Sequence, residues 1–266
     1  MNDQKNTSWG GVAGWYDKLV EKDEDSYQKN VIMPHLMRIV GKAKGQSVAD
    51  IACGQGYFSR ALAHEGAKVF GADISSELIE IAKTSSPKEI KFVACPADKV
   101  SDRLEKNSMD MVVIVLALQN IDKMSETIAE CSKILKLGGR FIFVLNHPSF
   151  RIPGRSSWEW SAPTLVKSAS GSDKSFRRID AYMSDSQSKI DMTPGEKDVK
   201  KKKYTMSFHR PLQSYFKALA KSGFAVTRLE EWISHRKSEN GPRSEEENRV
   251  RKEIPMFVCI EAKKLL

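Results

Sequence analysis

The sequence predicts a single α/β domain. It reads as an open, mostly parallel, seven-stranded sheet with helices on both faces and an inserted segment. Three observations lead there. Short apolar runs alternate with helix-period patterns from Val48 to Leu145, the rhythm of repeated βαβ units. The run Met109 to Leu118 is apolar almost throughout, as a strand covered on both faces must be. The first strand runs straight into Gly54-Gln55-Gly56, and a helical pattern follows that turn at once.

The elements follow in order. Residues 1–46 are expected to form an N-terminal cap. Its helix starts near Ser26 and carries Val31, Ile32, Leu36, Ile39 and Val40, with Pro34 disturbing it and Gly41 ending it. Val48 to Ile51 is a strand. Phe58, Ala61 and Leu62 give a helix stopped at Gly66. Val69 to Ala72 is the second strand, closed by Asp73, and Ser76 is placed to cap a helix carrying Leu78, Ile79 and Ala82. Ile90 to Ala94 and Met109 to Leu118 are the third and fourth strands. Met124, Ile128, Cys131 and Ile134 make a helix expected to stop at Gly138-Gly139, with Phe141 to Leu145 as the fifth strand.

The rhythm breaks over residues 147–208, a proline- and serine-rich stretch with scattered aromatics. It is too long for a plain connection and too aromatic for a linker, so it reads as a lid inserted over the sheet's ligand edge. A helix through Tyr215 and Leu219, a strand from Phe224 to Trp232, a solvated loop from Arg236 to Lys252 and a strand from Met256 to Ile260 complete the domain.

Composition narrows the class. The 266 residues are 40% hydrophobic and 29% charged, as in globular domains. No apolar run approaches the ~20 residues of a membrane helix, and Met1 to Ser8 lacks the apolar core of a secretion signal, so the reading is cytoplasmic. Cys53, Cys95, Cys131 and Cys259 form no C-x-x-C pair and have no histidines at metal-ligand spacing, so neither a metal nor a disulfide framework is expected. The net charge of +9 permits an anionic partner. The run Lys200 to Lys203 has no interleaved aromatics, which disfavours a nucleic-acid groove.

Parallel sheets of this kind bind ligands beyond the carboxyl ends of their strands. Gly54, Asp73, Cys95 to Asp98, Leu118 to Asn120 and Asn146-His147 are placed there. The two glycines let the backbone approach a ligand, and the helix behind them offers free N–H groups. Asp73 closes the next strand near the ~20-residue offset at which an acid takes ribose hydroxyls. A dinucleotide fingerprint would need a third glycine where Ser59 stands, and no triphosphate loop is present. Asp50, four residues ahead of Gly54, would repel pyrophosphate but suits an ammonium group. A nucleoside with a cationic tail satisfies all of these features, and S-adenosylmethionine is such a ligand.

"DIACGQG" resembles the first motif of the class I S-adenosylmethionine-dependent methyltransferases, in the group similar to ubiquinone-biosynthesis enzymes (methyltransferase type 11). "VFGADISSELIEIA", "MDMVVIVLALQNI", "ILKLGGRFIFVLNHP" and "FHRPLQSYFKALAKSGFAVTRLEEW" resemble later motifs of the same group. The resemblance implies a Rossmann-like class I methyltransferase fold and S-adenosylmethionine as cofactor. Carried over by position, it places Asp50 and the backbone of Ala52, Cys53 and Gly54 on the methionine part, with Gly56 closing the turn. Asp73 takes the ribose hydroxyls. Ile74, with Leu78 beside it, packs on the adenine, and Leu116 lies in the fourth-strand motif. The third motif, Asp-Ala in many members, is Pro96-Ala97 here. Ala97 is expected to keep its adenine contact, and Asp98 is the substitute for the missing acid. Tyr16 resembles a tyrosine that closes over the cofactor in relatives.

On the acceptor side, Asn120, His147, Tyr182 and His209 are candidates near the ligand edge. His147 and Tyr182 are the two catalytic candidates. His147 either meets the acceptor or bonds within its own turn with Pro148, and Tyr182 either reaches the pocket or packs in the core. The aromatic lid suits a small-molecule acceptor, acted on by a monomer or homodimer. An RNA or protein methyltransferase and a non-catalytic cofactor-binding subunit are the rivals.

Overall fold

The computed structural model describes residues 24–161, 174–193, 197–198 and 202–265. Tyr16, the first part of the expected cap and the middle of the inserted segment lie outside them. Seven strands form the main sheet: β1 (Ser47–Ile51), β2 (Lys68–Asp73), β3 (Lys91–Ala94), β4 (Met109–Val115), β5 (Leu135–Asn146), β10 (Phe224–Trp232) and β11 (Phe257–Lys264). Their order is β10-β11-β5-β4-β1-β2-β3. Only β11 runs against its neighbours, antiparallel to both β5 and β10. The chain steps outward from β1 through β2 to β3, then returns to the other side of β1 with β4. That reversal opens a crevice at the carboxyl ends of β1 and β4.

Period-two alternation divides the core between the two faces. Met111, Val113 and Val115 of β4, with Ile142 and Val144 of β5, pack on one side. They meet Leu36 and Ile39 of α1 (Met33–Val40) and Phe58 and Leu62 of α2 (Tyr57–His64). Val112, Ile114, Phe141 and Phe143 pack on the other, against Ile128 and Cys131 of α4 (Met124–Ile134) and Tyr215 and Leu219 of α5 (Leu212–Lys221). Two buried faces explain why these strands read as continuous apolar runs.

Local chemistry corrects several boundaries. Pro34 does disturb the helix, as expected: the helical run into α1 is unbroken, and the turn directly ahead of the proline, Gln28–Ile32, is π-helical rather than α-helical. Ser75, not Ser76, caps α3 (Ser76–Ser85), because Ser75 holds the extended backbone of a cap and its Oγ accepts from the Leu78 N–H at 3.2 Å. The glycines at 138 and 139 do not stop α4. That helix ends at Ile134 and β5 begins at once. Its last carbonyls are taken by Lys264, whose ammonium donates to Ser132 O at 2.7 Å and Leu135 O at 2.9 Å.

Arg236 to Lys252 is not all loop. Ser244–Glu253 forms α6, a helix with only Glu246 and Val250 buried, three acids in its first turn and Arg251 and Lys252 in its last. Such a helix lacks an apolar stripe but matches the macrodipole at both ends.

Within 147–208 lie two hairpins, β6 (Ser156–Trp160) with β7 (Ser175–Ile179), and β8 (Ser186–Asp191) with β9 (Tyr204–His209). The first is tied to α6, where Ser175 N donates to Glu246 Oε1 at 2.9 Å. The second faces the carboxyl ends of the parallel strands, with Met206 reaching the crevice there.

Candidate functional site

The turn after β1 is held by two acids. Asp73, at the end of β2, accepts from the Gly54 N–H and the Ser75 N–H, both at 2.9 Å. A carboxylate offers about four lone-pair sites, so two remain. Asp73 is buried, and burial raises its pKa despite those bonds. Asp50 is 1% exposed and accepts the Ser59 hydroxyl at 2.5 Å. Burial pushes its pKa up to about 7, with the Asp73 charge adding to the rise and Ser59 opposing it. The Ser59 of the sequence argument is therefore a partner of Asp50, seated on the first turn of α2.

Gly56 begins α2 at φ 83°, and a Cβ there would meet Phe92 Cζ at 2.8 Å. Among the four described non-glycine residues in the left-handed region are Ala52 (φ 57°), just past β1, and Leu116 (φ 52°), just past β4; Asn107 and Ala181 are the others. Ala52 and Leu116 border the crevice. Conformations of this kind persist where the surrounding structure over-determines them, and they cluster at binding sites.

A cavity of about 560 Å³ opens between them, within the range of small-molecule sites. Asp73, Ile74 and Leu78 line one side, Pro96, Ala97 and Asp98 another, and Leu116 and Asn120 a third. Ile74 is 43% exposed, a large apolar side chain presented to the cavity. Asp98 reaches across to Lys123 at 2.9 Å. Asp50 and Cys53 lie outside this cavity, around a small recess that shares Ala52, Gly54 and Val115 with it. Gln55 lines the same recess, and its Nε2 is buried without a hydrogen-bond partner among the described residues.

A second cavity, of about 220 Å³, adjoins the first through Leu116 and Asn120. Ile190, Met192, Phe208 and His209 of the second hairpin cover it. His209 Nε2 donates to the Tyr182 carbonyl at 2.8 Å, so a neutral ring carries its lone pair on Nδ1.

His147 and Tyr182 line neither cavity. The His147 ring is buried. Its Nδ1 accepts the Ser149 N–H at 3.2 Å, which leaves Nε2–H to donate to Glu231 at 2.6 Å. The histidine closes its own turn, and burial lowers its pKa even against the Glu231 charge. Tyr182 accepts the Leu212 N–H on its hydroxyl at 3.0 Å, at the start of α5. Both expected catalytic side chains are engaged away from the cavities, His147 with Ser149 and the distant Glu231, Tyr182 with the backbone at the start of α5.

The donor set fits a nucleoside with an amino-acid tail. Asp73 keeps acceptor capacity beside the cavity, Gln55 keeps a buried donor in the recess, and Asp50 faces that recess as an acid close to its ionisation point. Among the described residues no His, Cys, Asp and Glu cluster could hold a metal ion.

Residues 49–143 match a family of methyltransferase domains. The chain is 32% identical over 112 residues to a demethylmenaquinone methyltransferase of Renibacterium salmoninarum, covering 42% of this chain and 46% of that protein. It is 28% identical over 102 residues to a ubiquinone biosynthesis O-methyltransferase of Idiomarina loihiensis, covering 37% and 42%. The chain thus spans about half or less of the curated relatives it matches. The fold extends further: a crystal structure of an S-adenosylmethionine-dependent methyltransferase from Mesorhizobium loti superposes with a TM-score of 0.63 at 24% identity, covering 87% of this chain and 96% of that one. The sheet order and the crevice are those of a Rossmann-like class I methyltransferase fold.

Proposed function

We propose that this chain, whose residues 49–143 match a family of methyltransferase domains, is a class I S-adenosylmethionine-dependent methyltransferase that transfers a methyl group to a small-molecule acceptor. The observation that carries the reading is the pair of cavities meeting at Leu116 and Asn120, one walled by Asp73 and the glycine turn, the other closed by the β8–β9 hairpin.

In this reading Asp50 holds the cofactor's ammonium group, Gln55 and the Gly54 backbone hold the rest of its amino-acid tail, and Asp73 takes the ribose hydroxyls. Ile74 and Ala97 pack on the base, with Asp98 at its edge. The cofactor supplies an already activated sulfonium methyl, so the protein's task is alignment and exclusion of water. The β8–β9 hairpin serves as the lid that performs the exclusion. Asn120, shared by both cavities, positions the acceptor, and His209 is the residue placed to receive a proton from it. The names of the quinone-methylating relatives support a small acceptor.

The test is to incubate the protein with methyl-labelled cofactor and a cell extract separated into small-molecule, RNA and protein fractions. Label in the small-molecule fraction is the expected outcome. Label confined to RNA or protein would overturn the acceptor class, and no transfer at all would favour a non-catalytic cofactor-binding subunit.

A further inference from the structure

The second cavity has an electrostatic character that its aromatic and aliphatic walls do not require. Arg151, His209 and Arg210 border it, and among the described residues no Asp or Glu does. Arg210 is engaged elsewhere, donating to Ile121 O at 3.2 Å and Asp122 O at 2.6 Å. Arg151 is different. Its Nε is buried without a hydrogen-bond partner, and among the described residues no carboxylate pairs with its guanidinium. A guanidinium is always charged and carries five donors in a fork that fits an oxyanion. Leaving such a group buried and unpaired is costly, and burial indeed lowers its pKa.

The neighbourhood sharpens this. Arg177 lies close enough for its charge to be disfavoured by that of Arg151. Arg177 donates to Phe150 O at 2.9 Å and Ser156 Oγ at 2.6 Å, both neutral acceptors. The two guanidinium charges are thus within electrostatic reach of each other, and neither has a carboxylate partner among the described residues. The nearby His147 ring is bonded to Glu231, so that carboxylate is spent on the histidine. Gln119, on the same cavity wall, has its Oε1 buried and unpartnered while its Nε2 donates to Leu116 O at 2.8 Å.

We infer that the methyl acceptor is an anion, a small molecule whose carboxylate or phosphate oxyanion is held by Arg151 in the second cavity while its reacting atom faces Leu116 and Asn120. The inference rests on the methyltransferase reading and adds the charge of the substrate to it. Arg151 acts as a binding residue that positions the acceptor. Gln119 Oε1 takes a donor of the same molecule, fixing its rotation about the Arg151 contact. The cavity volume, below the ~300–1,000 Å³ of drug-sized sites, matches an acceptor of modest size.

The experiment is calorimetric titration of the full chain, first with S-adenosylhomocysteine and then, in its presence, with matched pairs of probes. Aromatic and aliphatic carboxylates are each compared with the corresponding amide, and phosphate monoesters with the corresponding alcohol, in low-anion buffer. The wild type should prefer the carboxylate or the phosphate member by about tenfold or more, and the arm that shows the preference identifies the oxyanion. Arg151→Gln should erase that preference with S-adenosylhomocysteine affinity unchanged, and Arg151→Lys should retain part of it. A wild type that binds S-adenosylhomocysteine but shows no preference in either arm overturns the inference, as does an Arg151→Gln protein that keeps the preference. Failure to bind S-adenosylhomocysteine at all would instead count against the methyltransferase reading.

Discussion

Ser59 donates its hydroxyl to Asp50 at 2.5 Å, across the buried base of the glycine turn. The residue that stands where a dinucleotide fingerprint has glycine is thus a partner of the acid that makes the site suited to a cation. Removing the hydroxyl leaves Asp50 buried with one bond fewer, which raises its pKa further. Ser59→Ala is expected to weaken S-adenosylmethionine binding at neutral pH by about 1.5–3 kcal/mol, measured by calorimetry, with S-adenosylmethionine affinity recovering as pH rises.

Asp50 itself should make cofactor affinity depend on pH. Its pKa is about 7 in the folded protein, well above the unfolded value, and a cationic ligand needs the ionised form. Affinity is expected to fall by up to about tenfold per pH unit below 7, and Asp50→Asn should bind weakly with no such dependence. The stability effect has the opposite sense. Between about pH 4 and 7 the native state holds a proton that the unfolded state has lost, so this group's stabilising contribution is present at low pH and gone above about 7. Asp50→Asn is therefore expected to be more stable than wild type at pH 8, by about 1–3 kcal/mol in urea unfolding, while losing function.

Gly56→Ala is expected to cost about 1–3 kcal/mol, because the new Cβ combines a left-handed backbone with a 2.8 Å approach to Phe92 Cζ. In a Phe92→Leu background the added cost should shrink. Urea unfolding of the four proteins gives the coupling directly.

His147→Ala should lower stability by about 1–2 kcal/mol through loss of its Glu231 and Ser149 bonds, and leave turnover close to wild type. His209→Ala should lower kcat by about 10²-fold or more when the acceptor loses a proton on methylation. Comparing kcat and melting temperature for the two variants separates a fastening histidine from a reacting one.

Much of this was legible in the chain. The strands between Val48 and Leu145 were readable because burial on both faces leaves little but apolar residues in them, and Gly54 and Asp73 were readable as a pair because the acid closing β2 holds the turn that follows β1. What escaped depended on partners distant in sequence. The end of α4 is set by Lys264, over a hundred residues away, rather than by the glycines that follow it. His147 is claimed by Glu231. The helix α6 has no apolar stripe to announce it. Gln55 and Gln119 sit inside recognisable motifs but at positions to which no role attaches, and Arg151 lies outside every motif, so only their buried, unpartnered atoms mark them.

The most direct test of the central claim is to titrate S-adenosylmethionine and NAD separately into the wild-type protein and into Asp73→Asn. The account predicts one-to-one binding of S-adenosylmethionine by wild type, no measurable binding of NAD, and loss of S-adenosylmethionine binding in a folded Asp73→Asn. Binding of NAD in place of S-adenosylmethionine, or undiminished S-adenosylmethionine binding by Asp73→Asn, would contradict it.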